Sequence, residues 1–199
     1  MATEPVLEIR GVRAHGAAPL DLNVERGEAV ALVSAGGTGK RWLLRVAAGL
    51  REASPGTVRC SAAPTAYVFS TGGLVANMSA LDNIVVPLRF SGLSPRAANT
   101  TAGDVLAGLG LAEVAHLRPA SLADEARQLV QWARAMALKA ELLYLEEPFR
   151  LLSPSTAGEL ASWLCGELAS GRVSVLMSCT DAHECARIGA RLVPLAGAD

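Results

Sequence analysis

The run AVALVSAGGTGKRWLLRVAAGL, Ala29 to Leu50, decides how the rest of the chain is read. Its first five residues, Ala29 to Val33, are all apolar with valines among them, which predicts a strand buried on both faces within a parallel sheet. Trp42, Leu43, Val46 and Leu50 then return at helical spacing. Between strand and helix stand Ser34, Ala35, Gly36, Gly37, Thr38, Gly39, Lys40 and Arg41. A strand that enters a helix through such a turn leaves backbone N–H groups around a concavity. With the helix N-terminus, this suits a chain of phosphates. Lys40 is placed to reach the outer phosphates.

The phosphate-loop pattern is G-x-x-x-x-G-K-[ST], and Gly39 and Lys40 meet it. Ser34 stands in place of the leading glycine. Arg41 stands where a hydroxyl would ligate Mg²⁺. Taken alone, the run is equally a glycine turn that only punctuates a strand and a helix, so the remainder of the chain decides.

With 199 residues, 51% of them hydrophobic and 19% charged, the chain can bury a full core and is expected to form one domain, residues 1–199. The net charge is −1 with lysine and arginine scattered, which argues against nucleic acid as a partner. The start, MATEPVLEIR, has no basic stretch followed by an apolar core, and no apolar run approaches the roughly 18 residues that span a bilayer. A soluble, cytosolic protein is the expectation. Cys60, Cys165, Cys179 and Cys185 form no CxxC pair and are expected to be free buried thiols rather than disulfides or metal ligands.

Val6 to Val12 and Pro19 to Val24 have the patterning of two strands, and Tyr67 to Phe69 that of a third, after a loop and strand region over Ser54 to Ala66. Leu81, Ile84, Val85 and Leu88 have helical spacing interrupted by Pro87, an alanine-rich helix follows around Ala97 to Leu109, and a further helix covers Asp124 to Leu138. Leu142 to Leu145 is a buried strand that ends in Glu146, Glu147 and Pro148. A helix over Ser155 to Ser170, a strand over Val173 to Met177, a short helix over Ala182 to Gly189 and a strand over Arg191 to Leu195 complete the chain. Strands alternating with helices predict a parallel sheet. The first strands predict an antiparallel layer on it, and residues 71–130 a mainly helical insertion.

The pieces LVSAGGTGKRWLLRVAAGL, YVFSTGGLVANMSALDNIVVPLR and ARAMALKAELLYLEEPF stand in that order, and through them residues 6 to 195 resemble the nucleotide-binding subunit of ATP-binding cassette (ABC) transporters. The resemblance implies an α/β fold, a P-loop NTPase of ABC type. It implies a mostly parallel core sheet, an N-terminal antiparallel β layer and an inserted helical subdomain. The middle piece most resembles ATPases of bacterial lipid-transport systems that work with Mce-type proteins. The implied ligand is ATP. The implied partners are a membrane permease subunit and a second ABC ATPase subunit, in a homodimer or a heterodimer. The implied location is cytoplasmic, peripheral at the inner face of the cell membrane.

Matched residue by residue, the phosphate cradle falls on Gly36, Gly37, Thr38, Gly39 and Lys40, with Arg41 at the position of the metal-binding hydroxyl. An arginine has no lone pair for a cation, although its fork can pair with a phosphate oxygen, so Mg²⁺ is not expected to sit normally. The glutamine that senses metal and water falls on Ser70, the metal-binding aspartate on Glu146 and the switch histidine on Thr180, with His183 nearby as a surface residue. Glu147 matches the catalytic carboxylate that orients or deprotonates water. The alternative is that Glu146 and Glu147 merely end a strand in solvated charge. His15 lies near where an aromatic stacks on adenine, or is simply an exposed loop histidine.

The signature LSGGQ falls on Leu122, Ala123, Asp124, Glu125 and Ala126. Two carboxylates facing a triphosphate are repelled by about 4 kcal/mol each at about 4 Å in an effective dielectric near 20. Alternatively, Asp124 and Glu125 cap the helix that follows. Ser34, Arg41, Ser70, the signature run, Glu146 and Thr180 together point first to a degenerate ABC subunit with weak or no ATP hydrolysis that docks on a permease. The segment Gly72 to Arg89, which in the family lies against the permease, follows the family pattern. An active ATPase motor and an interaction scaffold without nucleotide are the two other readings.

Overall fold

The computed structural model describes residues 4–13, 18–34, 38–53 and 55–195. Strands β1 (Leu7–Val12), β2 (Leu20–Val24) and β4 (Thr57–Cys60) form an antiparallel sheet in the order β2-β1-β4. Strands β3 (Ala29–Val33), β5 (Thr65–Val68), β6 (Leu142–Glu146), β7 (Ser174–Cys179) and β8 (Arg191–Pro194) form a sheet in the order β5-β6-β7-β3-β8, in which every pairing is parallel.

Alternation along these strands divides the molecule into two cores, because successive side chains point to opposite faces. Ala29, Ala31, Leu143, Leu145, Val175 and Met177 face one core. Val30, Leu32, Leu142, Tyr144 and Leu176 face the other. Both faces are therefore covered, which is why β3, β6 and β7 read as continuous apolar runs.

Helix α1 (Thr38–Ala47) packs Leu43, Leu44, Val46 and Ala47 into the second core, beside the antiparallel sheet. It ends before Leu50, which is exposed rather than part of the helix face. Helices α2 (Asp82–Phe90), α3 (Pro95–Gly108) and α4 (Asp124–Ala137) stand between β5 and β6 in the chain and pack in the first core with α5 (Pro154–Ala169). Ser94 and Ser153 cap α3 and α5, and a proline follows each, the combination that sets a helix start.

Pro87 lies inside α2 rather than breaking it. It removes one backbone donor, while Ile84 and Leu88 on the same helix face are fully buried and hold the helix in place. A second expectation also needs correction: Cys179 and Cys185 are joined in a disulfide between the end of β7 and α6 (Ala182–Ala186), whereas Cys60 and Cys165 are free. The two are six residues apart, and the packing of α6 on β7, not a sequence motif, brings them together. Among the described residues no helix is long and apolar enough to cross a membrane.

Candidate functional site

In a parallel sheet the carboxyl ends of neighbouring strands share one edge, where ligands of open α/β folds are held. Here register places Val33 of β3 beside Cys179 of β7, and Glu146 of β6 beside Ser178. Helix α1 starts on the same edge, and its first turn carries no acid. The residues just past these strand ends therefore converge, although they are far apart in sequence.

Lys40, in the first turn of α1, turns inward. Its Nζ donates to the Cys179 carbonyl at 2.9 Å and to Thr180 Oγ1 at 2.8 Å, and lies 3.2 Å from Glu147 Oε1. Thr180 in turn donates its hydroxyl to Glu147 Oε1 at 2.8 Å and its backbone N–H to Oε2 at 3.2 Å. Glu147 has a left-handed backbone, φ 47°, a conformation that costs a non-glycine residue about 1–2 kcal/mol. Its N–H bond to the Ser178 carbonyl at 2.9 Å and its side-chain contacts hold it there. Gln128 and Trp132 of α4 both donate to the carbonyl of Pro148, which anchors the turn from below.

Glu146 sits beside this cluster and is 1% exposed. Oε1 lies 2.7 Å from Arg41 Nε in an ion pair and accepts from Ser70 Oγ at 2.8 Å. Oε2 accepts from the Tyr67 hydroxyl at 2.9 Å and from Arg45 Nη2 at 3.1 Å. The Arg45 guanidinium also lies 5.9 Å from the centre of the Phe69 ring. Burial, then the neighbouring Glu146 charge, pushes the Tyr67 phenol well above its ordinary range, so it remains a donor. Neither glutamate is a solvated strand end.

Lys40, Arg41, Ser70, Glu146, Glu147 and Thr180 are thus brought together, with Gly39 in the first turn of α1 and Ser34 just beyond β3. His15, Gly36, Gly37 and the side chain of Thr38 lie outside the described residues. Leu122 is buried, and Ala123 occupies the N-cap of α4 with no side-chain cap bond. Asp124 pairs with Arg127, and Glu125 Oε1 accepts the Ser153 N–H at 2.9 Å. Both acids lie in the first turn of α4, the end of a helix that favours negative charge, but they do not point together at one target: Glu125 serves the start of α5. The Ser153 N–H, then the Thr156 hydroxyl, holds the Glu125 carboxyl below its usual range.

Arg45, Tyr67 and Glu184 belong to the site but were absent from the sequence-based set. Arg45 follows Arg41 by four residues, one helical turn, which is a readable signal. Tyr67 gave none beyond its strand. Glu184 has a buried Oε2 without a hydrogen-bond partner among the described residues, and burial, then the charges of Glu147 and Asp181, raises its pKa.

Residues 17–150 match the protein-family model described as ABC transporter. The chain belongs to this family. A taurine import ATP-binding protein of Sinorhizobium fredii is 32% identical to this ABC chain over 183 residues, 88% of the chain and 68% of the relative. A lipoprotein-releasing system ATP-binding protein of a Ruegeria species is 31% identical over 185 residues, 85% of the chain and 82% of the relative. A macrolide export ATP-binding/permease protein of an Azoarcus species is 30% identical over 192 residues, and there the ABC chain spans only 29% of the relative's length. Among solved structures, the dimeric post-hydrolysis state of the ATP-binding cassette MJ0796 bound to ADP and Pi superposes with a TM-score of 0.85. It does so at 21% identity, covering 96% of this chain and 95% of that one. The likeness establishes the ABC ATPase fold, with its parallel sheet and small antiparallel sheet.

The family implies ATP and Mg²⁺, and the two fare differently. For phosphates, the acid-free start of α1 and the guanidinium edges of Arg41 and Arg45 supply donors of the right charge. For Mg²⁺, the donor set does not fit. Arg41 offers no lone pair, and both oxygens of Glu146 are already engaged.

Proposed function

We propose that this chain is an ABC-transporter ATP-binding subunit that holds nucleotide with weak or no hydrolysis and docks on a membrane permease. The observation that carries this reading is the pair of ion pairs at the sheet edge: Lys40 on Glu147 and Arg41 on Glu146. Groups that would attend phosphate, metal and water are bound to one another. Residues 1–199 act as one ABC ATP-binding domain, with the helical part over about 71–130 facing the permease. Val75 and the 90% exposed Phe90, in and beside the segment Gly72 to Arg89, give that face apolar surface. The chain sits peripherally at the cytoplasmic face of the membrane and pairs with itself or with another ABC ATPase subunit. The names of its relatives, import, export and lipoprotein-releasing ATP-binding proteins, support transport as the process. The Mce-type lipid-transport branch rests on the likeness of the middle segment alone.

A second reading, an active motor, draws on one observation: Glu147 stands within reach of Lys40, which supports a carboxylate and a cation acting together on phosphate and water. Thermal denaturation with ATP tests the nucleotide part. ATP raises the midpoint of the wild type and not of Lys40→Ala, because a ligand bound only by the folded state stabilises it, by about 2.7 kcal/mol at a hundredfold excess over Kd. Absence of any shift in the wild type would favour a scaffold without nucleotide.

A further inference from the structure

We infer that the guanidinium groups of Arg41 and Arg45 take the place of the divalent cation at this site, so that it receives a metal-free nucleoside triphosphate. The inference rests on the reading of this chain as a nucleotide holder and specifies the form of the nucleotide.

A magnesium ion needs about six oxygen ligands at about 2.0–2.1 Å in near-octahedral array. The carboxylate available here is Glu146, and an ionised carboxylate has about four acceptor positions. Three hydrogen bonds and an ion pair already occupy it: Ser70 on Oε1, Tyr67 and Arg45 on Oε2, and Arg41 Nε 2.7 Å from Oε1. Seating a metal would require stripping two buried hydrogen bonds and approaching two cations. The high pKa of the Tyr67 phenol keeps that hydroxyl a donor, so it does not become a ligand.

The charge balance points the same way. Around Glu146 two guanidinium groups face one carboxylate, while Lys40 is paired with Glu147, so the excess of positive charge is local to the Arg41 and Arg45 side of the site. Arg41 Nε stands 2.7 Å from Glu146 Oε1, its side chain is 48% exposed, and its guanidinium makes no hydrogen bond among the described residues. Its Nη1 and Nη2 amino groups form the planar fork that matches phosphate oxygens. A hollow of about 200 Å³ lined by Arg41, Trp42, Arg45 and Arg51 adjoins them and adds a third guanidinium. Arg41 therefore bridges the buried acid to an incoming phosphate, as a cation would, while remaining part of the chain. The preferred ligand follows from charge: the free triphosphate is more negative than its magnesium complex and is the better match to a site with built-in positive charge.

Isothermal titration calorimetry of the full chain with ATP, once in EDTA and once in excess Mg²⁺, tests this. The expected result is binding in EDTA that is at least as tight as in Mg²⁺. Affinity that is about tenfold or more tighter with Mg²⁺ overturns the inference while leaving nucleotide binding intact. No binding in either buffer overturns both the inference and the reading beneath it. Arg41→Ser adds an independent arm: in EDTA its affinity falls about tenfold, and addition of Mg²⁺ recovers it, because the hydroxyl restores a metal ligand. Arg41→Lys, which keeps the charge without the fork, separates a lost phosphate contact from a disturbed fold: it binds in EDTA with intermediate affinity. An Arg41→Ser variant that binds in EDTA as the wild type does would contradict the role assigned to Arg41.

Discussion

Lys40 Nζ lies 3.2 Å from Glu147 Oε1, and their side chains are 3% and 9% exposed, so the cation proposed to bind phosphate and the carboxylate proposed for catalysis hold each other inside the protein. A triphosphate must compete with Glu147 for the ammonium. Removing one partner of a buried pair leaves an uncompensated charge, which typically costs about 3–5 kcal/mol. Lys40→Met is therefore expected to lower stability by an amount in that range, read by chemical denaturation, and to abolish ATP binding.

Glu147→Gln separates the two effects. The amide still accepts from Thr180, but the buried ammonium loses its counter-charge, so the loss of stability is of the same order, about 3–5 kcal/mol. Lys40 is freed, and ATP affinity measured by calorimetry rises. Unchanged affinity would mean that the Lys40–Glu147 contact does not compete with nucleotide.

Glu125 gives a prediction with a defined pH sign. Its carboxyl is held below the usual range by the Ser153 N–H and the Thr156 hydroxyl, so the stabilisation is present above the unfolded-state value, about 4.3, and is lost as pH falls through the lower folded value. Glu125→Gln should be less stable than the wild type at neutral pH by about 0.5–1 kcal/mol, modest because the side chain is partly exposed, with the difference closing in acid. Denaturation midpoints across pH check this. A difference that persists below the folded value would assign the effect to shape, not charge.

Glu184 has the opposite sign. Burial and its acidic neighbours raise its folded pKa, so its contribution favours the folded state below the unfolded value and is lost as pH rises through the raised folded value. Glu184→Gln is expected to raise the thermal midpoint in mildly alkaline buffer and to leave it nearly unchanged at about pH 4.

Gly73 has φ 78°, and a Cβ there would run into the Gln131 side chain and the Phe69 ring. Gln131 holds Phe69 through both its backbone N–H and its carbonyl, and Phe69 precedes Ser70, which touches Glu146. Gly73→Ala should therefore cost about 1–3 kcal/mol in denaturation experiments and weaken nucleotide binding through the displaced Ser70.

The sheet and the phosphate-loop helix were legible because their signals are local: five apolar residues in β3, a glycine turn, and apolar residues at helical spacing in α1. Lys40 could be named from the same pattern, and Glu146 and Glu147 from the end of the apolar run Leu142 to Leu145 together with the family resemblance. What they bind could not. The partners of Glu146 come from α1, from β5 and from the turn after it, and a contact spanning 76 residues leaves no periodicity to read. Glu125 was open to a capping role on its own helix and instead reaches Ser153, because the start of α5 packs beside the start of α4. Pro87 shows the reverse: tertiary burial of Ile84 and Leu88 overrides a local helix breaker. The Cys179–Cys185 bridge depends on the docking of a five-residue helix against β7 and has no spacing motif.

Steady-state ATP turnover by the purified, unmodified chain in excess Mg²⁺ bears most directly on whether these contacts silence the site. The account predicts phosphate release that is no faster than that of Glu147→Gln under the same conditions. Magnesium-dependent turnover on the order of 1 s⁻¹ or more, abolished by Glu147→Gln, would contradict it.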